Sequence, residues 1–119
     1  MGVESVIARR LREARKKKGD SQATLGIRAG IDASVASTRI NQYERGKHRP
    51  GLKTVERIAK CLSVPAPYFY AESDQLAAWI LALELVDPTL RDAVLQSAKE
   101  KEEEKAREKE KAKSLEAAK

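Results

Sequence analysis

The run from Ser21 to Gly46, SQATLGIRAGIDASVASTRINQYERG, constrains this chain more than any other stretch. It predicts two short helices joined by a glycine-bearing turn. Ser21 is placed to cap the first by accepting a hydrogen bond from a backbone N–H left free in the opening turn. Leu25 and Ala29 lie four apart on one face. Gly30 stops that helix, because glycine enters the left-handed conformation at little cost, and Gly46 ends the second helix the same way. In the second helix Ala36, Ile40 and Tyr43 fall at i, i+4 and i+7 and form an inward stripe. Thr38, Arg39, Asn41 and Gln42 are then left facing outward, with side chains of the kind that hydrogen-bond base edges. A basic loop, Lys47-His48-Arg49-Pro50, follows.

These residues carry a resemblance. Ser-Gln-x-x-Leu-Gly, then Ala-Gly-Ile, then Ile-Asn-Gln-Tyr-Glu-Arg-Gly-Lys-x-x-Pro resemble the helix-turn-helix of the Xre family, the group of the Cro-like phage repressors and many bacterial regulators. The match covers roughly residues 5 to 70. It implies an all-α fold: a five-helix phage-repressor-like helix-turn-helix domain followed by a C-terminal helical extension. It implies that Gln22 touches backbone phosphate from the start of the second helix, and that Arg15 and Glu44 form a buried ion pair between helix one and the recognition helix. Between Ile31 and Ile40 this chain has about four residues more than the family pattern. They are expected to lengthen the turn or to add a helical turn before the recognition helix.

The charge distribution agrees with a nucleic-acid partner. Residues 1–70 carry 15 Lys and Arg against 6 Asp and Glu, a net +9, and residues 71–119 carry 9 against 12, a net −3. The basic excess therefore sits where phosphate attraction requires it. Arg45, Lys47 and Arg49 flank the recognition helix and are expected to grip phosphates. Arg9, Arg10, Arg12, Arg15, Lys16, Lys17 and Lys18 crowd helix one, Ser5 to Lys18, around an inward stripe of Ile7, Leu11 and Ala14. They read either as a solvated basic face or, in part, as a phosphate-facing one.

Other functions find little support. A chain of 119 residues is one small domain plus an appendage, and with only 4% aromatic residues its core must be mostly aliphatic. No run of about 20 apolar residues is present, and no apolar signal core opens the chain, so no membrane partner is expected and the cytoplasm is the expected compartment. With a single histidine no Ser-His-Asp set can be assembled, His48 has no second ligand at metal spacing, and no phosphate-binding glycine loop occurs. No enzyme activity, metal, cofactor or small-molecule ligand is expected. Gly26 in mid-helix suggests close approach of the recognition helix. Cys61 reads as a small packed residue.

Beyond Pro50-Gly51, Leu52, Val55, Ile58, Ala59 and Leu62 predict helix four. Val64-Pro65-Ala66-Pro67 opens a short fifth helix, and Tyr68, Phe69 and Tyr70 are expected to cap the core. The expected organisation is a DNA-binding domain over 1–72, an apolar helical dimerisation segment over 73–98 and a charged helical or disordered tail over 99–119. Leu76, Trp79, Ile80 and Leu83, with Leu90 and Val94 beyond the Asp87-Pro88 break, are the expected dimer interface. The alternative is that this helix packs back on its own domain. Ser114 to Lys119 is expected to be disordered. The leading reading is a sequence-specific regulator of double-stranded DNA, a homodimer and a repressor. The alternative is an antitoxin-like or other protein-interaction module on the same scaffold.

Overall fold

The aliphatic stripes assemble as the periodicity requires. The computed structural model describes residues 3–118, with side chains from residue 6 onward. The helices are α1 (Val3–Lys18), α2 (Gln22–Arg28), α3 (Ala36–Glu44), α4 (Leu52–Leu62), a 3-10 helix (Ala66–Tyr70), α5 (Asp74–Leu83) and α6 (Pro88–Ala117). No strand occurs among the described residues. The chain forms two units, Met1–Glu84 and Leu85–Lys119. The expected 73–98 segment is thus divided, and α5 belongs to the first unit.

In the first unit Leu11, Leu25, Ile40, Val55, Ile58 and Phe69 are each at most 2% exposed and make one continuous core. Tyr68 and Phe69 close it edge to face, ring centroids 5.4 Å apart. Cys61 packs at its margin, and its carbonyl accepts a hydrogen bond from Lys18. The fifth helix is a five-residue 3-10 helix, entered through Pro65 at its N-cap and with Pro67 in its first turn, where a missing N–H costs nothing. Leu52 departs from its expected place. It is 64% exposed, since it is the first residue of α4 and lies one turn before buried Val55, beyond the edge of the core.

Arg10 departs further. Instead of joining a solvated basic face it is 2% exposed. Its Nε and Nη2 donate to the Ala71 carbonyl at 3.0 and 2.8 Å, its Nη1 donates to Asp74 at 2.9 Å, and its guanidinium lies 5.7 Å from the Tyr68 ring centre. Arg9 donates to the same Asp74 oxygen at 2.8 Å. A buried guanidinium needs this many acceptors, and the arrangement fastens the start of α5 to α1. Ser73 caps α5 by accepting from Leu76 N.

The hydrogen bond from Arg9, followed by that from Arg10, holds the Asp74 carboxyl below its ordinary pKa. A carboxyl depressed below its unfolded value of about 3.9 contributes stability that is complete above that pH and is lost as pH falls through the folded value. The melting temperature is therefore expected to fall between pH 5 and 2 more steeply in the native chain than in Asp74→Asn. Parallel slopes would contradict this.

Along α5, Ala77 is buried and Ile80 and Leu81 pack on the core, while Leu76, Trp79 and Leu83 stand 51, 58 and 48% exposed. The helix does pack back on its own domain, and it also keeps a bare apolar stripe on another side. In the second unit α6 is one uninterrupted 30-residue helix. Asp87 caps it, Pro88 starts it, and no later Gly or Pro stops it, so Ser114–Ala117 is helical where disorder was expected. Of its i, i+3 charge pairs, Lys101–Glu104 closes to 3.6 Å.

Candidate nucleic-acid interface

Every polar group that could meet a ligand here is placed by an apolar one beneath it. Ser21 caps α2, its Oγ accepting from Thr24 N at 3.0 Å. Leu25 at 0% exposure seats the helix. A Cβ on Gly26 would stand 2.8 Å from Ala36 Cβ and 2.9 Å from the Ala36 carbonyl oxygen, so the opening turn of α3 rests directly on the α2 backbone. Gly30, at φ +89°, turns the chain.

The residues between α2 and α3 lengthen the turn rather than the helix. The Asp32 carboxylate accepts from Ser34 N at 2.8 Å and from Ser34 Oγ at 2.6 Å, and these bonds hold its pKa below the ordinary value. Val35 N donates to Asp32 O, and α3 begins at Ala36.

Ala36, Ile40 and Tyr43 face the core, the first two at 0% exposure. Thr38, Asn41, Gln42 and Arg45 are related by steps of three and four and form one contiguous outward patch. Thr38 and Arg45 are exposed, while Asn41 and Gln42 are half-buried. Arg39 is exposed on a flank, one step from Gln42. Beyond Gly46, at φ +71°, Lys47 N donates back to Gln42 O at 2.9 Å. Lys47, His48 and Arg49 are exposed and Pro50 is buried, so three consecutive basic or ionisable side chains project from an anchored loop.

Beside the patch lies a chain of charged and amide groups. Arg15 Nε donates to Glu44 Oε2 at 2.5 Å and its Nη2 donates to Oε1 at 2.9 Å, with the two side chains 12 and 4% exposed. The hydrogen bond to Glu44 raises the Arg15 pKa further above its already high value. Gln22 Nε2 lies 3.1 Å from Glu44 Oε1 and 3.2 Å from Asn41 Oδ1. A carboxylate only accepts, so the end of Gln22 facing Glu44 is its NH2. The second hydrogen of that NH2 faces Asn41, which fixes the Asn41 amide with its oxygen toward Gln22 and its NH2 away from it. Both side-chain hydrogens of Gln22 are engaged. The expected phosphate contact by this amide would require breaking one of these bonds, which sequence spacing could not show.

Arg10 and Asp74 are the residues that sequence reasoning missed. The available signal was that Arg10 lies three residues after Ile7 and four before Ala14, beside the buried stripe. Among the described residues no cluster of His, Cys, Asp or Glu could hold a metal, and no helix is long and apolar enough to cross a membrane.

Comparison with known proteins places this geometry. A family model described as helix-turn-helix matches residues 11–69. An uncharacterised helix-turn-helix transcriptional regulator of Sinorhizobium fredii is 31% identical over 71 residues, 60% of this chain and 47% of that protein. An uncharacterised transcriptional regulator from the ATPase CF(0) region of Rhodospirillum rubrum is 33% identical over 73 residues, 61% of this chain and 64% of that protein. The match thus spans about half to two thirds of these relatives. The crystal structure of the transcriptional regulator BswR superposes with a TM-score of 0.70 at 38% identity, covering 78% of this chain and 92% of that one. A buried α2–α3 contact, a polar outward face on α3 and these matches agree: the chain belongs to the Xre-type helix-turn-helix family of transcriptional regulators.

Proposed function

We propose that the protein is a sequence-specific repressor that binds duplex DNA as a homodimer, with α3 in the major groove. The carrying observation is that Thr38 and Gln42 stand on one outward patch of a helix locked from behind by Ala36 and Ile40, with Arg45, Lys47 and Arg49 exposed beside it. Gln42 and Arg39 are the readers of base edges, since Gln pairs bidentately with adenine and Arg with guanine. The three cations clamp phosphates and fix the register. A preferred site is first selected from random duplex DNA. On it Gln42→Ala is expected to lose about 1–3 kcal/mol, with little change on random DNA, whereas Lys47→Ala weakens both alike and lowers the salt slope by about one. Equal losses from Gln42→Ala on both DNAs would exclude base reading there.

The homodimer rests on the bare stripe of α5. Leu76, Trp79 and Leu83 recur at i, i+3 and i+7 on a helix otherwise fastened to its domain, and Leu90 and Val94 of α6 are also exposed. A two-fold axis along such stripes buries the same patch from both copies and holds two recognition helices at fixed separation, as half-sites one helical turn apart require. Trp79→Glu in the full chain is expected to shift sedimentation from dimer to monomer. A wild-type chain that is monomeric at micromolar concentration would exclude the homodimer. With no duplex binding either, the stripe would point instead to a protein-interaction module.

A further inference from the structure

A hollow of about 330 Å³ lies between the second half of α1, the start of α2 and the end of α3, lined by Arg12, Arg15, Lys16, Gln22, Asn41, Glu44 and Arg45. A second hollow of about 470 Å³ adjoins it and shares Arg12, Lys16, Glu44 and Arg45. Glu44 is bonded twice by Arg15, so its charge is already compensated within the wall. Arg12, Lys16 and Arg45 are exposed, and none has an ion-pair partner among the described residues. The hollow therefore carries three uncompensated cations. Asn41 adds a neutral donor, because Gln22 takes its oxygen and leaves its NH2 turned away.

From this we infer that the hollow is a phosphate cradle. It takes a phosphodiester of the DNA backbone at the edge of the groove that α3 enters, with Arg12, Lys16 and Arg45 supplying charge and Asn41 a directed N–H. The inference rests on the proposed DNA-binding mode and extends it in two respects. It brings α1 into the interface, so that its cations divide by role: Arg10 and Arg15 are structural, while Arg12 and Lys16 face the ligand. It also moves Asn41 from base reading to backbone contact. A bidentate pairing with adenine needs both ends of the amide free to turn toward the base, and here the bond from Gln22 occupies one lone pair of the oxygen and fixes its direction toward the protein. Arg45, three residues after Gln42 and four after Asn41, links the cradle to the reading patch.

The test uses the full chain on both the selected site and random duplex, across a salt series. Arg12→Ala with Lys16→Ala is expected to weaken both DNAs about tenfold and to lower the salt slope by about one to two. Asn41→Ala is expected to weaken both DNAs alike. The double variant Arg57→Ala with Lys60→Ala removes the same charge from α4, outside the hollow, and is expected to change the slope by less than half as much. Equal slopes for the two double variants would overturn the cradle, and a loss from Asn41→Ala confined to the selected site would return that residue to base reading. Melting in inorganic phosphate against chloride at matched ionic strength separates a free-anion site. Stabilisation by phosphate that Arg12→Ala with Lys16→Ala abolishes, with DNA affinity unchanged, would also overturn it. If wild-type chain binds no duplex, the DNA reading itself fails; if Gln42→Ala behaves as expected while the cradle variants are silent, only the cradle fails.

Discussion

Glu44→Ala is expected to destabilise the first unit by about 3 kcal/mol, because it leaves the Arg15 guanidinium without its counter-charge at a site where that side chain is only 12% exposed. For a domain of this size that corresponds to a fall in melting temperature of roughly 15 °C. The same substitution releases one hydrogen of Gln22, so the orientation of Asn41 loosens as well. Replacement by glutamine keeps an acceptor for Arg15 and is expected to cost less than half as much. Site preference should change only after stability has, since Gln42 and Thr38 do not touch the pair. Thermal unfolding of the three proteins checks this; an unchanged melting temperature in Glu44→Ala would mean that the pair is solvated in solution.

Gly26→Ala is the second large effect, and its sign is opposite to the usual one. Alanine in mid-helix normally gains roughly 1 kcal/mol over glycine. Here its methyl would sit 2.9 Å from a backbone oxygen and 2.8 Å from Ala36 Cβ, and a backbone atom cannot swing aside as a long side chain can. Overpacking of this kind costs about 1–3 kcal/mol, so the net expectation is a loss of about 1–2 kcal/mol. The strain is relieved by moving the start of α3 away from α2, which tilts the recognition helix. Gly26→Ala should therefore weaken the preferred site more than random DNA, and Gly26→Ala with Ala36→Gly should recover only a small part of both losses, because it removes the Cβ contact and leaves the one with the carbonyl oxygen. A variant at least as stable as wild type would show that the two helices separate without cost.

The centre of this fold was legible because it is local. Gly30 and Gly46 are needed for their left-handed backbone, Ala36, Ile40 and Tyr43 repeat at helical spacing, and mid-helix Gly26 marks a close approach; each fact lies within ten residues of its cause. The Arg15–Glu44 pair became visible only through the family resemblance, since spacing alone cannot join residues 29 apart. Arg10 stayed hidden for the same reason. Its acceptors lie 61 and 64 positions away, and it stands in a run of cations that reads as solvated. The amide orientations of Gln22 and Asn41 were likewise illegible, because they follow from which atom of Glu44 faces which neighbour. In the tail the charge-rich composition was plain, yet its continuity as one helix to Ala117 depends on the absence of a stop signal, which is easily underweighted.

That last helix is a rod without an inside. None of its 30 residues is buried within the chain, so beyond the proposed interface at Leu90 and Val94 its own ladder, its Asp87 cap and residue preference keep it wound. Such a segment does not melt as a domain melts. It unwinds by degrees, and warming should subtract ellipticity along a slope while the first unit gives a sigmoid at its own midpoint. Amide protons beyond about residue 100 should exchange with solvent orders of magnitude faster than those of Leu25 or Ile58. The chain thus carries two thermodynamic characters in one sequence, a cooperative body and a statistical tail, and a calorimetric enthalpy divided by 119 residues would describe neither.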